Sequence, residues 1–347
     1  MKTRSYRKYT LLLFAFSGVA AATFAATPAS PQTAPSTNPV DELANQTPAA
    51  STPATGRGGT RQPDCFIVSR TDETKYKVEG NIKIGDKAAQ LVDMMYPKDM
   101  VKNDKSGKKY PGVIMFHGGG WIRTSKSTMS TFYNRYLAHG FVVCNAEYRL
   151  ADKTGQFTPE FTPAPGAIQD ALKAAKWFYD HADEYNVDKD RIVVTGASAG
   201  GHVALMVGLC TDEKVGPIAG KDFKIAAIVN GYGCVDVPAL LAKQRPGDFA
   251  SQWLPQGATR DEIAKQMSPM TYVRKDIPPL ITVQGSGDST HPVADSQRFT
   301  AALKAAGADA EIHLVNGAGH GFTPATWPDA EKATFDWLIQ HKIIPAQ

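Results

Sequence analysis

A chain of 347 residues with 42% hydrophobic and 21% charged residues is long enough to bury one large core, which excludes a disordered tail or a fibrous repeat as its main business. Its formal charge of +4 comes from one place: residues 1–25 hold Lys2, Arg4, Arg7 and Lys8 and no acidic residue, and without them 34 basic residues face 34 acidic ones. So even a balance offers no basic face for nucleic acid, and Cys65, Cys144, Cys210 and Cys234 have no zinc or haem spacing.

The basic start runs into Leu11-Leu12-Leu13-Phe14-Ala15-Phe16 and then into small residues through Ala26. A positive n-region, a short apolar h-region and a small-residue cleavage zone predict a secretory signal over residues 1–25, too short to span a membrane, and hence an exported protein, periplasmic or secreted, with no stable membrane insertion. Residues 26–62, dominated by Pro, Thr, Ala, Ser and Gln, cannot bury enough apolar surface to offset their ordering entropy and read as a flexible leader. The folded domain is expected over 63–347. Export permits disulfides, but Cys144 lies in an apolar run and Cys210 late in a helix-like segment, so buried thiols are at least as good a reading.

Within the domain, Lys77 to Ile84 and Ala88 to Tyr96 alternate apolar and polar residues and predict an antiparallel strand pair at a sheet edge. Val113-Ile114-Met115-Phe116 is a continuous apolar run of the kind buried on both faces, and it ends in His117-Gly118-Gly119-Gly120-Trp121. A helix is predicted over 127–138, a strand over 141–145 and a helix over 167–184. Ile192-Val193-Val194 then leads into Gly196-Ala197-Ser198-Ala199-Gly200 and a further helix. Strands over 225–230, 280–283 and 311–315 alternate with helices over 293–306 and 330–339, around a variable segment from Cys234 to Asp276. This order predicts an α/β fold: a mostly parallel sheet of about eight strands, helices on both faces and a small cap insertion.

A serine with glycine two residues before and two after, at a strand-to-helix junction, has the pattern of a nucleophile elbow, in which a sharp turn lifts the hydroxyl clear of the sheet. A plain Gly-rich turn shows the same letters. What separates the two is the rest of the chain, because a serine hydroxyl needs a base, and the base needs a third group to fix its tautomer. Asp288, in Gly285-Ser286-Gly287-Asp288, and His320, in Gly319-His320-Gly321-Phe322, each follow a predicted strand, and in open α/β sheets groups beyond the carboxyl ends of strands converge. Asp236 and Asp295 are rival acids; His291 and His313 are rival bases. Gly118 and Gly119, with the residue after the serine, Ala199, offer unobstructed backbone amides for an oxyanion hole.

The motifs His117-Gly118-Gly119-Gly120-Trp121, Tyr148-Arg149-Leu150, Gly196-Ala197-Ser198-Ala199-Gly200-Gly201-His202, Gly287-Asp288 and Gly319-His320-Gly321-Phe322 resemble the α/β-hydrolase superfamily. More closely they resemble its hormone-sensitive-lipase-like branch and the bacterial feruloyl and acetylxylan esterases related to it, over about residue 64 to the C-terminus. The resemblance implies a Ser198-Asp288-His320 triad, an oxyanion hole of Gly118, Gly119 and Ala199, a bracing role for His117, and structural roles for Asp170 and Arg149. It also implies no metal and no organic cofactor. Ala197 and His202 stand where many lipase-like members carry an acidic residue and an asparagine, and no long amphipathic lid precedes the domain, which leans toward the polysaccharide esterases. The insertion over 235–275 is the only sizeable one that could roof a pocket. Its short length implies an open site and a small acyl group, with Trp121 and Tyr232 as residues expected to touch substrate. The expected function is therefore an exported serine carboxylic-ester hydrolase acting on short-chain or carbohydrate-linked acetyl or feruloyl esters, with plant polysaccharide as one source. The rival readings are a prolyl-oligopeptidase-like peptidase, which usually brings a large extra domain, and a non-catalytic binding module of the same fold.

Overall fold

The computed structural model of the chain describes residues 62–217, 222–243 and 248–346. The expected signal segment, and the leader save its last residue, lie outside the described residues. The strands are β1 (Tyr76–Lys83), β2 (Leu91–Pro97), β3 (Tyr110–Phe116), β4 (Val142–Ala146), β5 (Val187–Ala197), β6 (Ala227–Gly231), β7 (Leu280–Gly285) and β8 (Ala310–Val315). They form one sheet in the order β1-β2-β4-β3-β5-β6-β7-β8. The two pairings at the β1 edge are antiparallel; from β4 across to β8 every pairing is parallel.

The helices are α1 (Ser130–Ala138), α2 (Gly166–Asp180), α3 (Ala199–Leu209), α4 (Val237–Lys243), α5 (Phe249–Trp253), α6 (Arg260–Gln266), α7 (Val293–Ala305) and α8 (Trp327–Gln340). They cover both faces, and the strands sort their side chains between them with period 2. In β3, Ile114 and Phe116 join the core layer under α2, α3 and α7, while Val113 and Met115 join the layer under α1 and α8. This two-sided burial is why the central strands read as unbroken apolar runs. Helix α3 is enclosed on nearly every side, as its sequence, apolar but for His202, requires.

Among the expected boundaries that move, two have a local cause. The helix expected to reach residue 184 ends at Asp180: Ala182 and Tyr185 are buried, which extends the apolar period in the sequence, but Asn186 takes a left-handed backbone (φ 52°) and turns the chain into β5. The first turn of the helix expected over 127–138 is a 3-10 turn, Lys126–Met129, before α1 begins. The described residues of the variable segment fold as α4, α5, α6 and a 3-10 turn at Pro269–Tyr272.

Register places the site. Phe116 pairs with Gly196, Gly196 with Asn230, Gly231 with Val283, and Gly285 with Val315, so β3, β5, β6, β7 and β8 end along one edge, where an open α/β sheet collects its ligands.

Candidate active site

Ser198 is the single residue between β5 and α3, with φ 56° and ψ −119°. A non-glycine residue held there stores roughly 1–3 kcal/mol of backbone strain and persists only where the surroundings over-determine it. Its amide donates to the Gly231 carbonyl at 2.8 Å, and its own carbonyl accepts from His202 N at 3.0 Å. A Cβ on Gly196 would meet the Phe116 carbonyl oxygen at 2.7 Å, and one on Gly200 would run into the carbonyls of Phe116 and His117. The Gly-x-Ser-x-Gly pattern is thus a steric requirement of pressing the turn against the end of β3.

Ser198 Oγ lies 2.8 Å from His320 Nε2, and His320 Nδ1 lies 3.0 and 3.1 Å from the two carboxylate oxygens of Asp288. Asp288 also accepts from the amides of Thr290 (2.9 Å) and His291 (3.0 Å) and from Gln284 Nε2 (3.1 Å). Burial alone would raise its carboxyl, but hydrogen bonds from His320 first, then from the His291 amide, outweigh it and hold the group below its ordinary value. An ionised Asp288 fixes the proton of His320 on Nδ1 and leaves Nε2 to accept from the serine hydroxyl. The loops carrying acid and base are tied together: Gly287 N donates to the Ala318 carbonyl at 2.9 Å and Ser286 N to that of Val315 at 3.0 Å.

The rivals are occupied elsewhere. Asp236 pairs with Arg298 at 2.8 Å, and Asp295 bonds Lys243 and Arg298. His313 pairs with Asp329. His291 is buried and donates Nδ1–H to the Tyr232 carbonyl at 2.9 Å; burial depresses its pKa to about 4.

Gly118 comes directly against the serine, with Gly119 next to it in the loop. A Cβ on Gly118 would stand 3.0 Å from Ala197 O and 3.4 Å from Ser198 Cβ, and Gly119 has φ +104°, a conformation that glycine reaches cheaply. Ala199 opens α3, where backbone amides lack intrahelical partners and the helix dipole is positive. The loop is braced from behind: His117 is fully buried, its Nε2 2.7 Å from Glu147 Oε1 and its Nδ1 2.8 Å from Gly118 O, with Tyr148 stacked on the ring at 4.3 Å. Tyr148 also donates its hydroxyl to the His117 carbonyl at 2.7 Å, and Glu147 Oε2 accepts from Lys126 N at 3.0 Å. Arg149 and Asp170 form a two-pronged pair with bonds of 2.7 and 2.8 Å, in keeping with a structural role.

Two expectations about substrate contact need correcting or narrowing. Trp121 is fully enclosed: its ring stacks on Trp253 at 4.3 Å, so it presents no surface to a substrate and backs the wall from behind. Tyr232 is 8% exposed, its ring edge-on to His320 at 5.1 Å and to Phe322 at 5.2 Å, which sets it beside the base. Glu147 and the contacts of His202 were not legible in the chain, because their partners lie 30 and 81 residues away and no local pattern announces them. All four cysteines are buried free thiols.

Comparisons with known proteins bear on the family and the fold. The BD-FAE family profile matches residues 98–303. Esterase LipC of Mycobacterium tuberculosis is 28% identical over 257 residues, which cover 72% of this chain and 60% of LipC. Esterase LipQ of the same organism is 27% identical over 58% of this chain and 48% of its own. The chain thus spans about half to three fifths of these curated relatives. Among solved structures, a truncated carbohydrate esterase from gut microbiota superimposes with a TM-score of 0.65 at 22% identity, covering 79% of this chain and 99% of its own. A thermophilic esterase of Thermogutta terrifontis, with propionate bound, gives 0.63 at 22% identity over 80% and 98%. At such identity the structures speak for the fold alone.

Proposed function

The chain belongs to the BD-FAE family and has the α/β-hydrolase fold, and from that premise we propose that it is an exported serine carboxylic-ester hydrolase acting on short-chain or carbohydrate-linked esters. The observation that carries the reading is the 2.8 Å approach of His320 Nε2 to a serine hydroxyl held on a strained turn. Ser198 Oγ attacks the ester carbonyl while His320 takes its proton, and the tetrahedral oxyanion is met by the amides of Gly118, Gly119 and Ala199. Collapse of that intermediate expels the alcohol, which receives the proton from His320 Nε2, and leaves Ser198 acylated. Water, deprotonated by the same histidine, then releases the acid and restores the serine. Asp288 holds the imidazole in its tautomer and stabilises the imidazolium at each proton transfer.

The acyl group is proposed to be acetyl or feruloyl and the alcohol a sugar of plant polysaccharide. The sugar and the acyl group rest on the resemblance of the motifs, and the named esterase relatives support the ester hydrolysis. So does an open site: the His320 side chain keeps 24% of its surface exposed. Export to the periplasm or beyond rests on the N-terminal pattern.

The test is hydrolysis of p-nitrophenyl acetate beside an aminoacyl-nitroanilide. Ester turnover that vanishes in Ser198→Ala is expected. Turnover of neither substrate, or ester turnover that survives the substitution, sinks the reading, and turnover of the anilide alone makes the protein a peptidase. Acetylated xylan and feruloylated oligosaccharide, assayed together, decide the acyl group.

A further inference from the structure

The two halves of the oxyanion hole come from different elements: Gly118 and Gly119 from the loop after β3, Ala199 from the start of α3. They stabilise one oxygen only if their spacing is held, because a donor must reach the position where charge develops in the transition state. We propose that His202 is a positioning residue, a strut that locks the spacing of these two halves and ties both to the cap insertion; this rests on the oxyanion-hole reading above.

His202 lies one turn into α3, its amide bonded to the Ser198 carbonyl at 3.0 Å. Its Nδ1 accepts from Trp121 Nε1–H at 3.1 Å, and Trp121 ends the glycine loop, with its own backbone at φ 61°. Its Nε2 lies 2.7 Å from the carbonyl oxygen of Met267, just beyond α6. A carbonyl can only accept, so the ring proton is on Nε2 and the Nδ1 lone pair is free for the indole. One neutral tautomer satisfies both bonds. His202 and Trp121 are both fully buried, and burial holds the histidine pKa down at about 4, so the ring stays neutral where both bonds need it neutral. A protonated ring would set N–H against N–H at Trp121.

The insertion closes on the same point. Trp253 of α5 stacks on Trp121 at 4.3 Å and meets His202 edge-on at 5.4 Å. Phe249 of α5 lies where a Cβ on Gly120 would stand, 2.8 Å away. The segment that would roof the site therefore also grips the loop that supplies the oxyanion donors.

Three substitutions separate the strut from plain packing. His202→Asn keeps an acceptor near the Nδ1 position and gives up the bond to Met267; His202→Gln keeps a donor near Nε2 and gives up the acceptor for the indole; Trp121→Phe keeps a ring for the stack and gives up the N–H. Each is purified, its active sites are titrated with paraoxon, and kcat and KM for p-nitrophenyl acetate are taken per titrated site, together with Ki for an alkyl trifluoromethyl ketone, whose hemiketal places an oxyanion in the hole. For His202→Gln and Trp121→Phe, kcat is expected to fall about tenfold or more, with KM within about threefold and Ki rising in step. His202→Asn is expected to keep kcat within about threefold of the parent, even where its melting temperature drops. Unchanged kcat and Ki per titrated site in His202→Gln and Trp121→Phe, or a kcat that tracks melting temperature across all three, overturns the proposal. Should Ser198→Ala retain turnover, the oxyanion-hole reading itself has failed, and that is a separate result.

Discussion

At the scale of single residues, the site depends on the absence of side chains as much as on their presence. Gly200 stands where a methyl group would run into the carbonyls of Phe116 and His117, and backbone of a central strand cannot step aside. Gly200→Ala is therefore expected to abolish turnover and to cost about 1–3 kcal/mol or more of stability, read by urea unfolding. Asp288→Asn should leave the site's shape intact and fix the wrong tautomer of His320, lowering kcat roughly 10³–10⁴-fold; a variant with nearly full turnover would return Asp236 to contention. The buried histidines add a pH dependence. His202 and His291 have pKa values depressed from 6.5 to about 4 in the folded chain, so the unfolded state binds protons first as pH falls. Their stabilisation is complete above about pH 6.5 and declines down to about pH 4, reaching a loss on the order of 2 kcal/mol for each ring at pH 5. Urea midpoints at pH 7.5 and 5 measure it, and equal midpoints contradict it.

At the scale of elements, ion pairs with little or no exposure hold segments that hydrophobic packing alone would leave loosely registered. Asp170 of α2 takes both prongs of Arg149 and the Arg149 amide at 3.0 Å, and accepts from Gln90 Nε2 at 2.6 Å. It thus fastens α2 to the turn before β2 and to the stretch after β4. Lys126 has no exposed surface and donates to the carbonyls of Cys65 (3.1 Å) and Ile67 (2.8 Å) and to Asn81 Oδ1 (2.8 Å), beside Asp93 at 3.4 Å. It pins the start of the described chain next to the loop that braces His117. Removing one partner leaves the other charge buried and unpaired, which costs more than the intact pair contributes. Asp170→Ala is expected to lose about 3–5 kcal/mol in denaturant unfolding while turnover per titrated active site stays near that of the parent. A parallel drop in turnover per site would move the pair into the site.

At the scale of the whole molecule, a core spread over both faces of the sheet makes cross-links unnecessary. Burial pushes the Cys65 and Cys234 thiols up to about 12 and raises those of Cys144 and Cys210, so none offers a thiolate to an oxidant. A thiol reagent is expected to find essentially no reactive cysteine in the native protein and all four after denaturation in guanidinium, and the melting temperature should be indifferent to a reductant. Fewer than four thiols in the denatured, unreduced protein would reveal a bridge.

Much of this organisation was legible in the chain, because its causes are local. Period-2 and unbroken apolar runs mark strands buried on one or two faces, and Gly196 and Gly200 mark a turn that excludes side chains. Asp288 and His320 were readable as candidates because each follows an apolar run in a fold where strand ends converge. The patterns of the chain alone leave Asp236 beside Asp288, since both follow strands; the resemblance favours Asp288, and only packing shows that Arg298 holds the other. The same holds for Trp121: its letter beside three glycines reads as a substrate contact, and only the arrival of Trp253 and His202 from distant parts of the chain makes it a buried joint. What a residue can do chemically is written in its side chain and its immediate neighbours. What it does depends on which groups the fold brings within about 3 Å, the reach of a hydrogen bond, and those come from tens to more than a hundred residues away.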